Sequence, residues 1–260
     1  MKPIYFFVGA VVLFTSSCNQ QPQWSQADLN EEIKLITIEE GPVLGYSNNS
    51  GVTILVVDQL PFKDLNKNGS LDPYEDWRLS VEERAQDLAS KMSEEHIAGL
   101  MLYSGHQNVP AGSAGYFRGT YNGKTFEESG AKASDLTDQQ KKFLTEDNLR
   151  HVLVVGVESP AVAAEWNNKV QTHVEGLGLG IPSNNSSDPR NGARSDAEYN
   201  AGSGGTISQW PEEIGLSATF DPSITEQFGR IASQEYRALG VTTALSPQID
   251  LATEPRWNRF

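Results

Sequence analysis

Asp64, Asn66, Asn68, Asp72 and Glu75 stand at positions 1, 3, 5, 9 and 12 of the run DLNKNGSLDPYE, with Gly69 at position 6. Alternating oxygen-bearing side chains around a glycine at the sharp turn are what a calcium loop requires. Calcium takes about six to eight oxygens at roughly 2.3 to 2.6 Å. Short carboxylates and amides would therefore reach inward, the Ser70 carbonyl would add a ligand, and Glu75 would close the shell through both carboxylate oxygens. The same residue types dominate ordinary turns, so a metal-free turn is the competing reading. Val52 to Phe62 reads as a strand, which argues against a helix-loop-helix sensor and for a structural Ca2+ that staples the chain.

Cys18 is the single cysteine, so no intramolecular disulfide can form. It follows Lys2, an apolar stretch from Ile4 to Phe14 and the small residues Thr15, Ser16 and Ser17, the layout of a secretion signal with a lipobox-like end. Acylation of that thiol after cleavage would leave a lipid anchor at the mature N-terminus. The competing reading is an ordinary cleaved signal with an incidental cysteine. Other enzyme chemistry is poorly supported. Gly202 to Gly205 lacks the lysine and strand-to-helix context of a phosphate cradle, no Gly-x-Ser-x-Gly elbow is present, and Glu212 with Glu213 reads as a solvated pair. His96, His106, His151 and His173 form no adjacent pair with lysine, and His151 and His173 read as ordinary strand-edge and helix residues.

The elements that must position such groups follow from composition and pattern. A 260-residue chain with 38% hydrophobic residues can bury one sizeable core, and its net charge of -14 repels phosphate backbones, so no nucleic-acid partner is expected. No apolar run beyond the leader is long enough to cross a bilayer, which leaves the lipid as the membrane contact. Asn19 to Gln26 suits a polar tether. Ser80 and Glu83 form a capping box ahead of a helix with Ala85, Leu88 and Met92 on one face; Ile97 to Tyr103 fits either helix or strand. Ser104 to Ser134 reads as a long loop, whose Tyr116, Phe117, Tyr121 and Phe126 could stack on the apolar face of a sugar or pack on the surface. A repeating order then follows: helix Thr137 to Asp147, strand His151 to Val157, helix Pro160 to Glu175, a short strand ending near Asp188, a helix from Asp221 and Pro222 to Gly240, and strand Val241 to Leu245. Such alternation predicts parallel strands with outer helices, in a doubly wound sheet or a β/α barrel. A whole eightfold barrel takes roughly 250 residues, and about 180 follow Ser80, so part of a barrel is the expectation.

The stretch WPEEIGLSATFDP (Trp210 to Pro222), then RALGV from Arg237, ALSP from Ala244 and EPRWNR from Glu254, resembles the N-terminal barrel of glycoside hydrolase family 3. Members read F-P-x-x-I-G-L-A-A-T-x-D-P, R-A-x-G, a strand ending in Pro, and D-P-R-W-G-R. The likeness extends back through Gly180-Ile181-Pro182 to the SVEERAQDLASKMS helix, and so covers roughly residues 60 to 260. The calcium-like loop ahead of the barrel is similar to that of secreted bacterial members.

The resemblance implies a partial (β/α)8 TIM-type barrel and a retaining exo-β-glycosidase, of β-glucosidase type, acting on oligosaccharides or β-glucosides. Asp188 matches the carboxylate that accepts hydrogen bonds from the terminal sugar, and Arg259 matches a donor to that sugar; alone they would read as a turn carboxylate and a surface charge. In the family the nucleophile Asp lies on a later strand and the acid/base Glu in a later domain, so the expectation is no catalytic residue within these 260, an inactive isolated chain and a missing C-terminal part of the barrel as its partner. Pro189-Arg190-Asn191-Gly192 departs from the A-V-H-G of many β-glucosidases, Glu254 from the usual Asp and Asn258 from the usual Gly. The expected organisation is a signal at 1–18, an extension at 19–79 with the loop at 64–75, and barrel from 80 to 260. The expected location is the periplasm or outer membrane of a Gram-negative bacterium. The rival reading is a calcium-stabilised, non-catalytic carbohydrate-binding lipoprotein.

Overall fold

The structure, a computed structural model, describes residues 23–187, 207–211, 213–245 and 256. The polar stretch read as a tether passes at Trp24 into β1 (Trp24–Asp28), which pairs antiparallel with β2 (Ile33–Ile38), itself paired antiparallel with β3 (Val43–Ser47). Ile36, Ile38 and Ser47 are this sheet's buried residues. The segment read as one strand at Val52 to Phe62 is a hairpin, β4 (Thr53–Val57) against β5 (Leu60–Asp64). Asp58 and Gln59 take positive φ of 51° and 66°, the two-residue turn whose twist matches paired strands, and this splits the run. Phe62, fully buried, stacks on Trp77 at 5.4 Å and carries the Arg78 guanidinium 4.8 Å above its ring.

Helix α1 (Val81–Lys91) starts at the expected Ser80–Glu83 box. Its apolar face meets little, since Leu88 and Met92 are half-buried and Ala85 is exposed. Ile97 to Tyr103 divides: α2 (Glu94–Leu100) takes the first part, and Tyr103 opens β6 (Tyr103–Val109). The segment read as a loop from Ser104 thus contains most of a strand, and a single turn of helix, α3 (Phe126–Ser129), lies further on. Then come α4 (Asp138–Thr145), capped by Thr137 with Gln140, β7 (His151–Val157), α5 (Pro160–Glu175) and β8 (Asn184–Ser187). After the interval come α6 (Glu213–Ser217), α7 (Pro222–Leu239) and the two-residue β9 (Thr243–Ala244).

Strands β6 to β9 pair in sequence order, all parallel, the arrangement that helical crossovers impose. Val152, Val154 and Val157 of β7 meet Leu144 of α4, Trp166, Val170 and Val174 of α5, and Ala232, Tyr236 and Leu239 of α7 in one core. Leu153 is buried outside that cluster, as period-2 alternation requires of a strand residue on the opposite face. Gly240 ends α7 at φ 86° with its Cα against α5; a Cβ there would fall 2.2 Å from the Asn167 side chain. The result is a mixed α/β architecture.

Candidate functional site

In a parallel sheet, ligands bind beyond the carboxyl ends of the strands, because the loops leaving those ends are free to carry function. Here those ends are Val109, Val157, Ser187 and Ala244. Residue 188 directly follows the β8 end. Cys18, Asp188, Pro189 to Gly192, Gly202 to Gly205, Glu212, Glu254, Asn258 and Arg259 lie outside the described residues.

The sheet face away from the helices carries polar side chains around the apolar Leu153. Tyr103, His151 and Asn184 align across β6, β7 and β8, and the Tyr103 and His151 rings stack with 8° between planes. Asn184 Nδ2 lies 3.1 Å from His151 Nδ1, while Thr242 and Thr243 hydroxyls donate to Asn184 Oδ1 at 2.9 and 2.7 Å. Tyr103 OH is hydrogen-bonded to Ser186 Oγ on β8. His151, read from sequence as ordinary, is therefore part of this network. The available signal was β8 itself, where Asn-Asn-Ser-Ser occupies strand positions that a buried parallel sheet normally fills with Val, Ile or Leu.

His106, Leu153, Ser186 and Thr243 form the next row toward the carboxyl ends. Two strand spacings put the His106 backbone about 10 Å from that of Ser186. Against His106 stand Tyr116 and Phe117, at 5.8 and 6.4 Å between ring centres and edge-to-face with each other at 5.3 Å. Tyr116 is 73% exposed and Phe117 38%. Tyr121 and Phe126, grouped with them from sequence, belong to the interior: Tyr121 is buried, receives the Ala111 N–H at 3.0 Å and packs on Phe126. The long segment after β6 thus divides into a structural aromatic pair and an exposed one.

In the loop at 64–75, Asp64 and Glu75 are buried. Asp64 accepts the N–H groups of Asn68 and Gly69, each at 3.0 Å. Glu75 accepts those of Leu65 at 2.7 Å, Asn66 at 3.2 Å and Asp72 at 3.0 Å. Asn66 and Asn68 side-chain amides donate to Asp72 Oδ2 at 2.6 and 2.7 Å, and the Ser70 N–H bonds Asn68 Oδ1. Lys91 of α1 pairs with Asp72 at 3.2 Å. Among the described residues, no three His, Cys, Asp or Glu side chains come together as they would around a metal ion.

Two buried charges hold the surroundings. Arg150 donates to three carbonyls, Ile181 at 3.0 Å, Leu144 at 2.7 Å and Leu149 at 2.8 Å, and burial pushes its pKa down. Lys63 and Glu175 pair at 2.8 Å, and Glu175 also accepts the Ser47 N–H at 2.9 Å, tying the extension to the end of α5. His173 bonds Thr145 at 2.9 Å; burial, with Lys141 and Arg150 nearby, lowers its pKa.

Residues 86–260 match the family model described as the glycosyl hydrolase family 3 N terminal domain. The chain is similar to a periplasmic beta-glucosidase/beta-xylosidase of Dickeya chrysanthemi, 42% identical over 210 residues, or 81% of this chain and 30% of the relative. It is also similar to beta-glucosidase C of Emericella nidulans, 33% identical over 200 residues, or 76% of this chain and 29% of the relative. The chain therefore spans about a third of the length of these relatives.

Proposed function

We propose, since the chain belongs to glycosyl hydrolase family 3, that it supplies the terminal-sugar end of an exo-acting β-glycosidase of β-glucosidase type. The relatives' names support the substrate class, and the observation that carries the placement is the order of the parallel sheet. Four parallel strands in sequence order are what part of a (β/α)8 barrel would present, and residue 188 follows the carboxyl end of the third, where barrel enzymes place their chemistry. Asp188 accepts hydrogen bonds from hydroxyls of the terminal sugar, and Arg259 donates to it. The nucleophile and the general acid/base, which a retaining mechanism holds about 5 to 5.5 Å apart, come from the length of the relatives that this chain does not span. The exposed Tyr116–Phe117 pair stacks on a ring of the bound oligosaccharide.

Two companions go with this reading. The loop at 64–75 holds a structural Ca2+: its donor set is all oxygen, two of its carboxylates are buried, and a carboxylate with about four lone-pair sites can keep its N–H partners while ligating. Cys18 carries a lipid that tethers an exported protein, a placement in keeping with the periplasmic relative.

The test compares purified residues 19–260 with the complete gene product. The complete product hydrolyses an aryl β-glucoside and loses affinity on Asp188→Ala, while the shorter piece turns nothing over. Sugar binding without hydrolysis by the complete product would sink the enzyme and leave a carbohydrate-binding protein. For the metal, calorimetry with calcium gives binding to wild type and none to Glu75→Ala; identical traces remove the claim.

A further inference from the structure

A central strand of a parallel sheet is ordinarily anchored by apolar side chains on both faces. The third of these four strands has none: β8 is Asn184, Asn185, Ser186 and Ser187, of which the last three are buried. Something other than hydrophobic packing must hold it. On the helix side Asn185 Nδ2 donates to Asn167 Oδ1 of α5 at 2.6 Å and Asn185 Oδ1 accepts the Ser183 hydroxyl at 2.8 Å. On the other side Asn184 reaches His151 of β7, Thr242 just before β9 and Thr243 within it. The two amides thus link β8 to its flanking strands and to the helix layer. Ser187, the last residue of the strand, has a buried hydroxyl without a hydrogen-bond partner among the described residues, so its side chain adds no polar hold there.

We propose that Asn184 and Asn185 are positioning residues, a two-faced amide clamp that fixes the carboxyl end of β8, the strand that residue 188 follows in sequence. Hydrogen bonds are directional where apolar contacts are not, so a strand held this way is confined in translation and tilt more narrowly than one held by area alone. A sugar-gripping carboxylate needs that confinement, because displacement of about 1 Å at a reacting site can cost on the order of a hundredfold. The role in sugar binding rests on the reading of Asp188 given above; the clamp itself does not.

Both parts are tested in the complete gene product. Asn184→Leu keeps the volume and deletes the amide; Thr242→Val with Thr243→Val deletes the facing donors and serves if the first variant does not fold. Either raises KM for an aryl β-glucoside about tenfold with the thermal midpoint nearly unchanged, and Asn184→Asp, which still accepts from both threonines, recovers most of the loss. Amide hydrogen exchange over residues 184–187 speeds up about tenfold in Asn184→Leu; wild-type exchange in both the leucine and the double variant overturns the clamp whatever the kinetics do. Faster exchange with wild-type KM, while Asp188→Ala still raises KM, overturns the positioning role and spares the site. If Asp188→Ala also leaves KM unchanged, the sugar-site reading falls and the positioning role falls with it.

Discussion

At the scale of single residues, the exposed aromatics and the buried arginine make opposite demands. Tyr116 leaves most of its ring to solvent at a position that costs the fold little to change. Tyr116→Ala in the complete gene product should therefore leave stability within about 0.5 kcal/mol while raising KM for a trisaccharide several-fold more than for a methyl glycoside. Equal changes for both substrates would remove the stacking role. Arg150 is the reverse case. Its guanidinium is the donor for carbonyls at the end of α4 and before β8, so removing it orphans two buried acceptors and a half-buried one at once. Arg150→Met should cost about 2 to 4 kcal/mol in a denaturant titration; a loss below about 1 kcal/mol would mean that water replaces it. From sequence, Arg150 is one charge ahead of an apolar run and gives no sign of this role.

At the scale of elements, capping signals were legible and packing partners were not. Ser80 with Glu83, Thr137 with Gln140, and Asp221 with Pro222 each sit where the helix begins, because the residues that satisfy free N–H groups are few and local. The helix Pro160–Glu175 has the expected bounds for the same reason, with a serine ahead of proline and glycine behind. Strand limits are less legible. The β4–β5 turn uses Asp-Gln rather than Asn-Gly or Asp-Gly, so nothing marked it, and β6 hides in a segment rich in Gly, Ser and Asn. Ionic contacts within the extension are also invisible in the sequence, since even a pair two residues apart depends on how the chain turns between them. Asp76 illustrates the consequence. Its side-chain hydrogen bonds with Arg78, at 2.9 and 2.7 Å, hold its pKa below the usual carboxylate range. A pKa lowered by folding contributes stability that is fully present above the unfolded value, about 4, and is lost as pH falls through the lower, folded value. Stability measured from pH 5 down to pH 2 should therefore fall less steeply in Asp76→Asn than in wild type. Parallel acid limbs would show that the pair carries no linkage.

At the scale of the whole molecule, the question is what the chain can do by itself. The sequence order of β7 to β9 is legible in the alternation of helix and strand. The terminal-sugar roles proposed for Asp188 and Arg259 rest on the resemblance alone, because a lone aspartate or arginine has no spacing to announce it. The described sheet bears on how such a chain behaves: among the described residues β6 and β9 each have a strand partner on one side only, and the face between them carries hydrogen-bonding side chains rather than a closed apolar layer. Unpaired N–H and C=O rows recruit other strands. A net charge of -14 opposes that recruitment, but the opposition is screened within about 8 Å at physiological ionic strength. Residues 19–260 should therefore self-associate, and more so as salt is raised from about 0.01 M, where the Debye length is about 30 Å, to about 0.5 M. Sedimentation velocity over that range measures it: a salt-independent monomer at tens of micromolar would mean that both edges are covered within the piece, and salt-independent aggregates would mean that charge plays no part in keeping copies apart.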